Sequence, residues 1–146
     1  MKVYLDNCCL QRPLDDKSQV RVQLESEAVL ALLSLHEERQ IELISSEILE
    51  FELNQNPDRL RRTYVAEVLS GVATVIQVDE AVHARARELE ATGIRGMDAL
   101  HLACAEAAGV NYFSSCDDRF LRKARTIVGL GVTVVSLLEL VEELAR

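Results

Sequence analysis

The sequence predicts an α/β fold: a three-layer sandwich in which a five-stranded parallel sheet is covered by helices on both faces. Three observations predict it. Five short runs are rich in Val, Ile and other strand formers; amphipathic segments with apolar residues three and four apart lie between them; and Gly, Pro, Asn, Asp or Ser stands at most junctions. Strands separated by helices throughout imply a parallel sheet, which must be covered on both faces. A length of 146 residues with 49% hydrophobic content fits one domain over residues 1–146, with enough apolar material to bury a core without staples.

The elements follow in order. Val3-Tyr4-Leu5 reads as a buried strand ending at Asp6, and the turn-rich Arg12-Pro13-Leu14-Asp15-Asp16 reads as a loop after it. Residues 18–35 carry Val20, Leu24, Ala28, Leu32 and Leu35 at helical spacing, predicting a long amphipathic helix. Residues 41–45 form the second strand. Ser45 or Ser46 then caps a helix through Ile48, Leu49, Phe51 and Leu53 that stops at Asn56-Pro57, and Asp58 restarts helix to about Ser70. Beyond Gly71, residues 73–78 give a third strand, and Asp79 caps a helix with Val82, Ala86 and Leu89 on its apolar face, ending at Gly93. The remaining expectations are a helix over 98–108 closed by Gly109, a strand over 110–115, a helix over 117–127, a strand over 132–135 and a last helix from Ser136.

Composition excludes several classes. The net charge of −8 argues against a protein that holds nucleic acid by a broad basic field, so any such contact has to be local. Three Phe, three Tyr and no Trp leave little material for base-stacking platforms. The four cysteines, Cys8, Cys9, Cys104 and Cys116, show neither C-x-x-C zinc pairs nor a secreted disulfide framework, and reduced thiols in a cytoplasm are expected. The first residues meet Asp6 before an apolar run develops, so no secretory leader is expected; no run approaches the about 18 apolar residues of a membrane span.

Ligands of open parallel sheets bind outside the carboxyl ends of the strands, and two expected strands end in acids there, Asp6 and Asp117. Either alone is an ordinary turn or cap residue. Asp98 opens the nearly all-apolar Ala99-Leu100-His101-Leu102-Ala103-Cys104-Ala105 helix, and a carboxylate at the mouth of a buried helix needs a partner, for which a metal ion suits. Glu47, Glu50 and Glu52 sit on the helix after the second strand, two of them as solvent-face charges.

Four segments carry a family resemblance: Val3-Tyr4-Leu5-Asp6; Ser45-Ser46-Glu47-Ile48-Leu49-Glu50-Phe51; Met97-Asp98-Ala99-Leu100-His101-Leu102-Ala103; and Tyr112-Phe113-Ser114-Ser115-Cys116-Asp117. Together, in this order over nearly the whole chain, they resemble a PIN domain, the family that contains VapC-like toxins. The resemblance places the family's acids on Asp6, Glu50, Asp98 and Asp117, as catalytic and metal-binding residues, with Ser115 as the hydroxyl two before the last. Glu50 is preferred to Glu52 because Ile48, Phe51 and Leu53 frame it with apolar neighbours. Asp118 reads as a first-turn helix acid rather than an outer-shell ligand. Where the family has a small hydroxyl residue and then Asn after the first acid, this chain has Asn7 and Cys8.

The resemblance implies a metal-dependent endoribonuclease that hydrolyses single-stranded RNA through a carboxylate-bound magnesium or manganese site. It also implies a homodimer and the toxin role of a toxin–antitoxin pair, with an antitoxin protein as partner. Magnesium takes oxygen ligands while keeping several waters, so a few carboxylates suffice to hold it beside a phosphate. Arg119, Arg122, Lys123 and Arg125 follow Asp117 and are available to an RNA backbone, though a solvated helix face also explains them. His101 reads as a packed histidine or a group beside the metal; His36 and His83 read as surface residues; Cys8 and Cys9 read as small buried residues, since Arg12 lies too close in sequence for a phosphatase loop. A receiver-like or haloacid-dehalogenase-like phosphoryl-transfer protein fits less well, because no aspartate stands two after Asp6 and no lysine follows the fifth strand. The alternative of another class is a catalytically silent PIN-like binding or regulatory module.

Overall fold

The computed structural model describes residues 1–146 and contains five strands: β1 (Lys2–Leu5), β2 (Glu42–Ser46), β3 (Thr74–Ile76), β4 (Tyr112–Ser114) and β5 (Thr133–Val135). They form one all-parallel sheet in the order β3-β2-β1-β4-β5. The central β1 pairs Val3 with Leu43 on one side and with Tyr112 on the other. The chain builds outward from β1 through β2 to β3, then crosses back to lay β4 on the opposite side. The carboxyl end of β1, between β2 and β4, is therefore the topological switch point where ligands of open α/β sheets bind.

Eight helices complete the layers: α1 (Asn7–Gln11), α2 (Val20–Glu37), α3 (Glu47–Gln55), α4 (Arg59–Ser70), α5 (Glu80–Glu90), α6 (Gly96–Ala107), α7 (Asp118–Ala124) and α8 (Leu137–Leu144). Their starts follow the expected chemistry. Ser46 Oγ accepts from Leu49 N to cap α3, Asp58 and Asp79 cap α4 and α5, and Ser136 with Glu139 forms a reciprocal capping box on α8. The pair α5 and α6 turns at Gly93, whose φ of 104° is a left-handed conformation open to glycine. In the core Tyr4 and Phe113 stack at 5.1 Å on neighbouring strands, and Phe120 packs against Phe113.

Three expectations need correction. The segment after Asp6 is helical rather than looped: α1 runs directly into a 3-10 turn over Arg12–Leu14. Asp6 starts α1 by accepting from Asn7 N, buried Cys9 and Leu10 anchor it, and Pro13 is tolerated early in the 3-10 turn, so the Arg-Pro signal marks a helix change.

The buried face of α2 holds the expected Ala28 and Leu32, with Leu35 packed against the core, but differs from expectation in its first turns. Val20 and Leu24 are exposed, while Val22, Glu25, Ser26, Ala28, Val29 and Leu32 are buried. A charge is buried on this face. Glu25, 1% exposed, accepts from Arg12 Nε and Nη2 at 3.1 and 2.7 Å and lies 3.4 Å from Arg21 Nε, so its burial is compensated by two guanidinium groups. Helix α6 begins at Gly96, two residues before the expected start, which puts Asp98 inside the first turn.

The α8 cap and the core beneath it give a calibrated test. Ser136→Ala removes one capping bond and lowers unfolding free energy by about 1 kcal/mol. Leu140→Ala leaves a cavity at a fully buried site and costs about 2–5 kcal/mol. Urea unfolding of both variants checks the ranking; a Ser136→Ala protein less stable than the Leu140→Ala protein contradicts it.

Candidate active site

Each acid reaches the switch point on a different element. Asp6 follows β1, Glu52 projects from α3 after β2, Asp98 from the first turn of α6, and Asp117 from the loop after β4. All four line one open cavity of about 390 Å3, together with Asn7 and Arg61. Glu50 is not among them. It is exposed on α3, and at about 100° per residue a side chain two positions on points to a different face. Framing Glu50 by apolar neighbours treats Phe51 as a core residue, whereas Phe51 is 51% exposed. The buried residues are Ile48 and Leu49, and Glu52 stands four and three positions after them on the same side. Helical periodicity counted from the Ser46 cap was the signal for Glu52.

Asp6 is held from three directions. Its Oδ1 accepts from Asn7 N at 2.8 Å, its Oδ2 accepts from Ser115 Oγ at 3.1 Å, and Cys8 Sγ lies 3.6 Å from Oδ2. Ser115 Oγ also accepts from Asp117 N at 3.1 Å, so this one hydroxyl ties the ends of β1 and β4 together. Asp117 caps α7 through Oδ1, leaving Oδ2 without a bond to the backbone. Asp118, by contrast, leaves the cluster and pairs with Arg21 at 2.7 Å on the surface.

Behind the acids lies a buried chain of polar groups. His101 Nε2 meets Glu52 Oε1 at 2.5 Å, His101 Nδ1 meets Tyr4 OH at 2.6 Å, and Tyr4 OH meets Ser46 Oγ at 2.7 Å. His101 Nε2 is also 4.0 Å from Asp6 Oδ1, so the packed histidine expected from the sequence stands against two of the acids. Burial disfavours charge on His101, but the Glu52 hydrogen bond and the Asp6, Glu52 and Asp98 carboxylates outweigh it and raise its pKa. In its protonated form the ring donates from both nitrogens, to Glu52 and to Tyr4. Burial pushes the Asp6 carboxyl up to about 7 despite His101 and the Asn7 N–H. Burial and the neighbouring Asp6 push Asp98 up to about 6.

This donor set fits a hard cation. Four carboxylates are presented to one cavity, two of them with pKa values raised chiefly by burial, and oxygen donors suit magnesium or manganese. The Oδ1 of Asn7, a residue that also lines this cavity, is buried without a hydrogen-bond partner. Asp6, Glu52 and His101 bring ligand atoms within 4.8 Å of one another, and Asp98 and Asp117 line the same cavity.

Basic residues border the acids on one side. Arg119 and Lys123 share a cleft of about 320 Å3 with Asp98, Asp117 and Arg95. Arg95 stands at the start of α6 without a side-chain capping bond, and no sequence signal singled it out. Arg122 and Arg125 face a different groove, where Arg125 pairs with Glu139. Of the other histidines, His83 is exposed as expected, whereas His36 is half-buried, bonded to Gly71 O and Leu43 N. Cys9 is fully buried and Cys8 partly so.

The family model of the PIN domain matches residues 3–126. The chain belongs to the PIN domain family. PIN domains are generally nucleases that use divalent metals. Solved PIN-fold structures agree along nearly the whole chain. VapBC2 from Rickettsia felis, bound to a DNA fragment from its promoter, aligns with a TM-score of 0.60 at 15% identity, covering 93% of this chain and 98% of that one. FitAB bound to an IR36 DNA fragment gives 0.62 at 18%, covering 92% and 94%. DNA-bound VapBC from Salmonella typhimurium gives 0.59 at 17%, covering 94% and 98%. At such identities the likeness establishes the fold. No curated protein matches the chain. No helix is long and apolar enough to cross a membrane.

The raised carboxyl pKa values set a pH dependence. In the native state Asp6 and Asp98 hold protons that the unfolded chain, titrating near 3.8, has already released. Their contribution to stability is complete below the unfolded value and is lost as pH rises through about 6 and about 7. Metal-free protein in EDTA is therefore expected to melt higher at about pH 5 than at about pH 8. Asp98 makes no hydrogen bond, so Asp98→Asn removes repulsion without removing a cap; it raises the metal-free melting temperature at the higher pH and flattens the dependence. Manganese at about 100 times its dissociation constant adds about 2.7 kcal/mol to wild type. It adds little to the variant. Thermal melts in EDTA and in manganese check this, and equal metal-induced shifts contradict it.

Proposed function

We propose that the protein is a metal-dependent endoribonuclease that hydrolyses single-stranded RNA, with magnesium or manganese held by Asp6, Glu52, Asp98 and Asp117. The observation that carries this reading is the convergence of four acids from four elements on the switch point of the sheet. A bound ion there supplies Lewis-acid chemistry, neutralising phosphate charge and lowering the pKa of a water.

The chain's own residues do the rest. Ser115 aligns Asp6 with the Asp117 loop through its two hydrogen bonds. His101 acts as a positioning residue that holds Glu52 from behind, and Tyr4 and Ser46 hold His101 in turn. Arg95, Arg119 and Lys123 are placed to take the phosphates of the strand beside Asp98 and Asp117, a local basic edge that suits a chain of net charge −8. Four acids kept together with their supporting bonds weigh against a silent binding or regulatory module.

The same reading extends to partners. Resemblance to VapC-like proteins, and a fold shared with VapBC and FitAB complexes, support a homodimer, the toxin role and an antitoxin protein as partner. Phe51 and Leu60 leave apolar surface exposed on α3 and α4 for a protein partner.

Purified protein is expected to cut single-stranded RNA in magnesium or manganese and to spare it in excess EDTA. Glu52→Gln lowers cleavage by about 10–100-fold or more, as loss of a group ordering a metal site does, while Glu50→Gln leaves most of it. Undiminished cleavage in EDTA sinks the metal reading. Loss with Glu50→Gln but not with Glu52→Gln shows that α3 presents the other acid.

A further inference from the structure

Three of the four thiols meet where the amide end of α1 touches the loop after β4. Cys8 and Cys9 come from α1, and Cys116 comes from the residue before Asp117. Their sulfurs all lie within 4.8 Å of one another, with Cys9 Sγ and Cys116 Sγ at 3.6 Å. Cys104 lies apart, buried on α6, and no disulfide is present. We infer that Cys8, Cys9 and Cys116 form a second metal site, for a soft thiophilic cation such as zinc, cadmium or copper(I), distinct from the hard carboxylate site beside it.

The spacing suits that ligand class. Metal–sulfur bonds of about 2.3 Å in a tetrahedron set sulfurs about 3.8 Å apart. Cys9 and Cys116 sit close to that separation before any ion is added, and Cys8 is within 4.8 Å of both. A disulfide would use two of them and leave the third without a role, whereas a cation uses all three. Magnesium and manganese prefer oxygen, so the two sites select different ions by donor chemistry.

The surroundings temper the charge that such a site gathers. On binding a divalent ion, three S–H bonds give way to three metal–sulfur bonds and three protons pass to solvent, leaving a net charge of minus one. Arg21 Nη2 donates to Cys116 O at 3.2 Å, and the Arg12 guanidinium lies near enough for its charge to act on Cys116. Glu25, the acid nearest these arginines, is held by both of them. Cys8 Sγ also lies 3.5 Å from Ser115 Oγ and 3.6 Å from Asp6 Oδ2, so the thiol site shares a wall with the carboxylate cluster. Cys8 and Cys116 are both partly open to solvent, which gives an ion a way in. None of this depends on nuclease activity.

Cadmium serves as the probe, because its thiolate complexes absorb in the ultraviolet and its carboxylate complexes do not. The full chain, stripped of metal and kept reduced with a phosphine, is expected to develop a sulfur-to-cadmium charge-transfer band that saturates at one equivalent. Zinc suppresses the band in competition, and magnesium in excess does not. Bound cadmium also protects Cys8 and Cys116 from alkylation, mapped by mass spectrometry, and EDTA restores their reactivity. Cys116→Ser loses the stoichiometric band, and Cys104→Ala keeps it. Absence of the band in wild type, or an unchanged band in Cys116→Ser, overturns the assignment. So does protection that resists EDTA and yields only to fresh reductant, which is the signature of a disulfide. The alkylation pattern of wild type decides the matter even where a variant folds poorly.

Discussion

Asp6 is a carboxylate placed where a carboxylate is costly, at the end of the most central strand and against a buried histidine. Its ionised form is resisted by burial and by neighbouring negative charge, and it survives through the Asn7 N–H, the Ser115 hydroxyl and His101. Much of the molecule is arranged around that constraint. The capping bond starts α1, the Ser115 bond ties β1 to the loop after β4, and the histidine brings α6 against α3. A fold that spends stability on clustered carboxylates recovers it when a cation binds, so stability and metal affinity are two readings of the same repulsion.

The polar chain from Ser46 through Tyr4 and His101 to Glu52 gives the cluster its rigidity. Tyr4 is fully buried and stacks on Phe113, so its ring is fixed by the core while its hydroxyl is committed to the site. Ser46 has two tasks, capping α3 and bonding Tyr4. Helix α3 is thereby clamped at its first turn to the strand beside it, and Glu52, one and a half turns on, inherits that position. A buried network of this kind holds geometry well only when each member has a partner, and each of these does.

Electrostatics divides the surface at the site into unlike edges. Asp98 and Asp117 also line a cleft with Arg95, Arg119 and Lys123, while Arg12 and Arg21 pair with Glu25 at the start of α2 in a compensated group. The first set is open to a polyanion. The second is taken up by its own pairing around buried Glu25, and it flanks the thiols. Basic residues of similar appearance in the sequence thus stand open beside the acids in one place and brace the fold in another, as burial and partners decide.

The sequence by itself determined the order of strands and helices, the parallel sheet, most caps, and three of the four acids gathered at the site, Asp6, Asp98 and Asp117. These follow from local chemistry: periodicity of two or of 3.6, the conformations of Gly and Pro, and side chains that bond their own backbone. What only tertiary structure decided involves partners distant in sequence. The choice of Glu52 over Glu50 rests on the rotation of α3 set by Ser46 and Tyr4; the burial of Glu25 on α2 rests on its finding Arg12; and the meeting of Cys8 and Cys9 with Cys116 rests on β4 pairing beside β1. A residue's neighbours along the chain report its propensity, but its charge state and its contacts depend on groups that folding alone brings near.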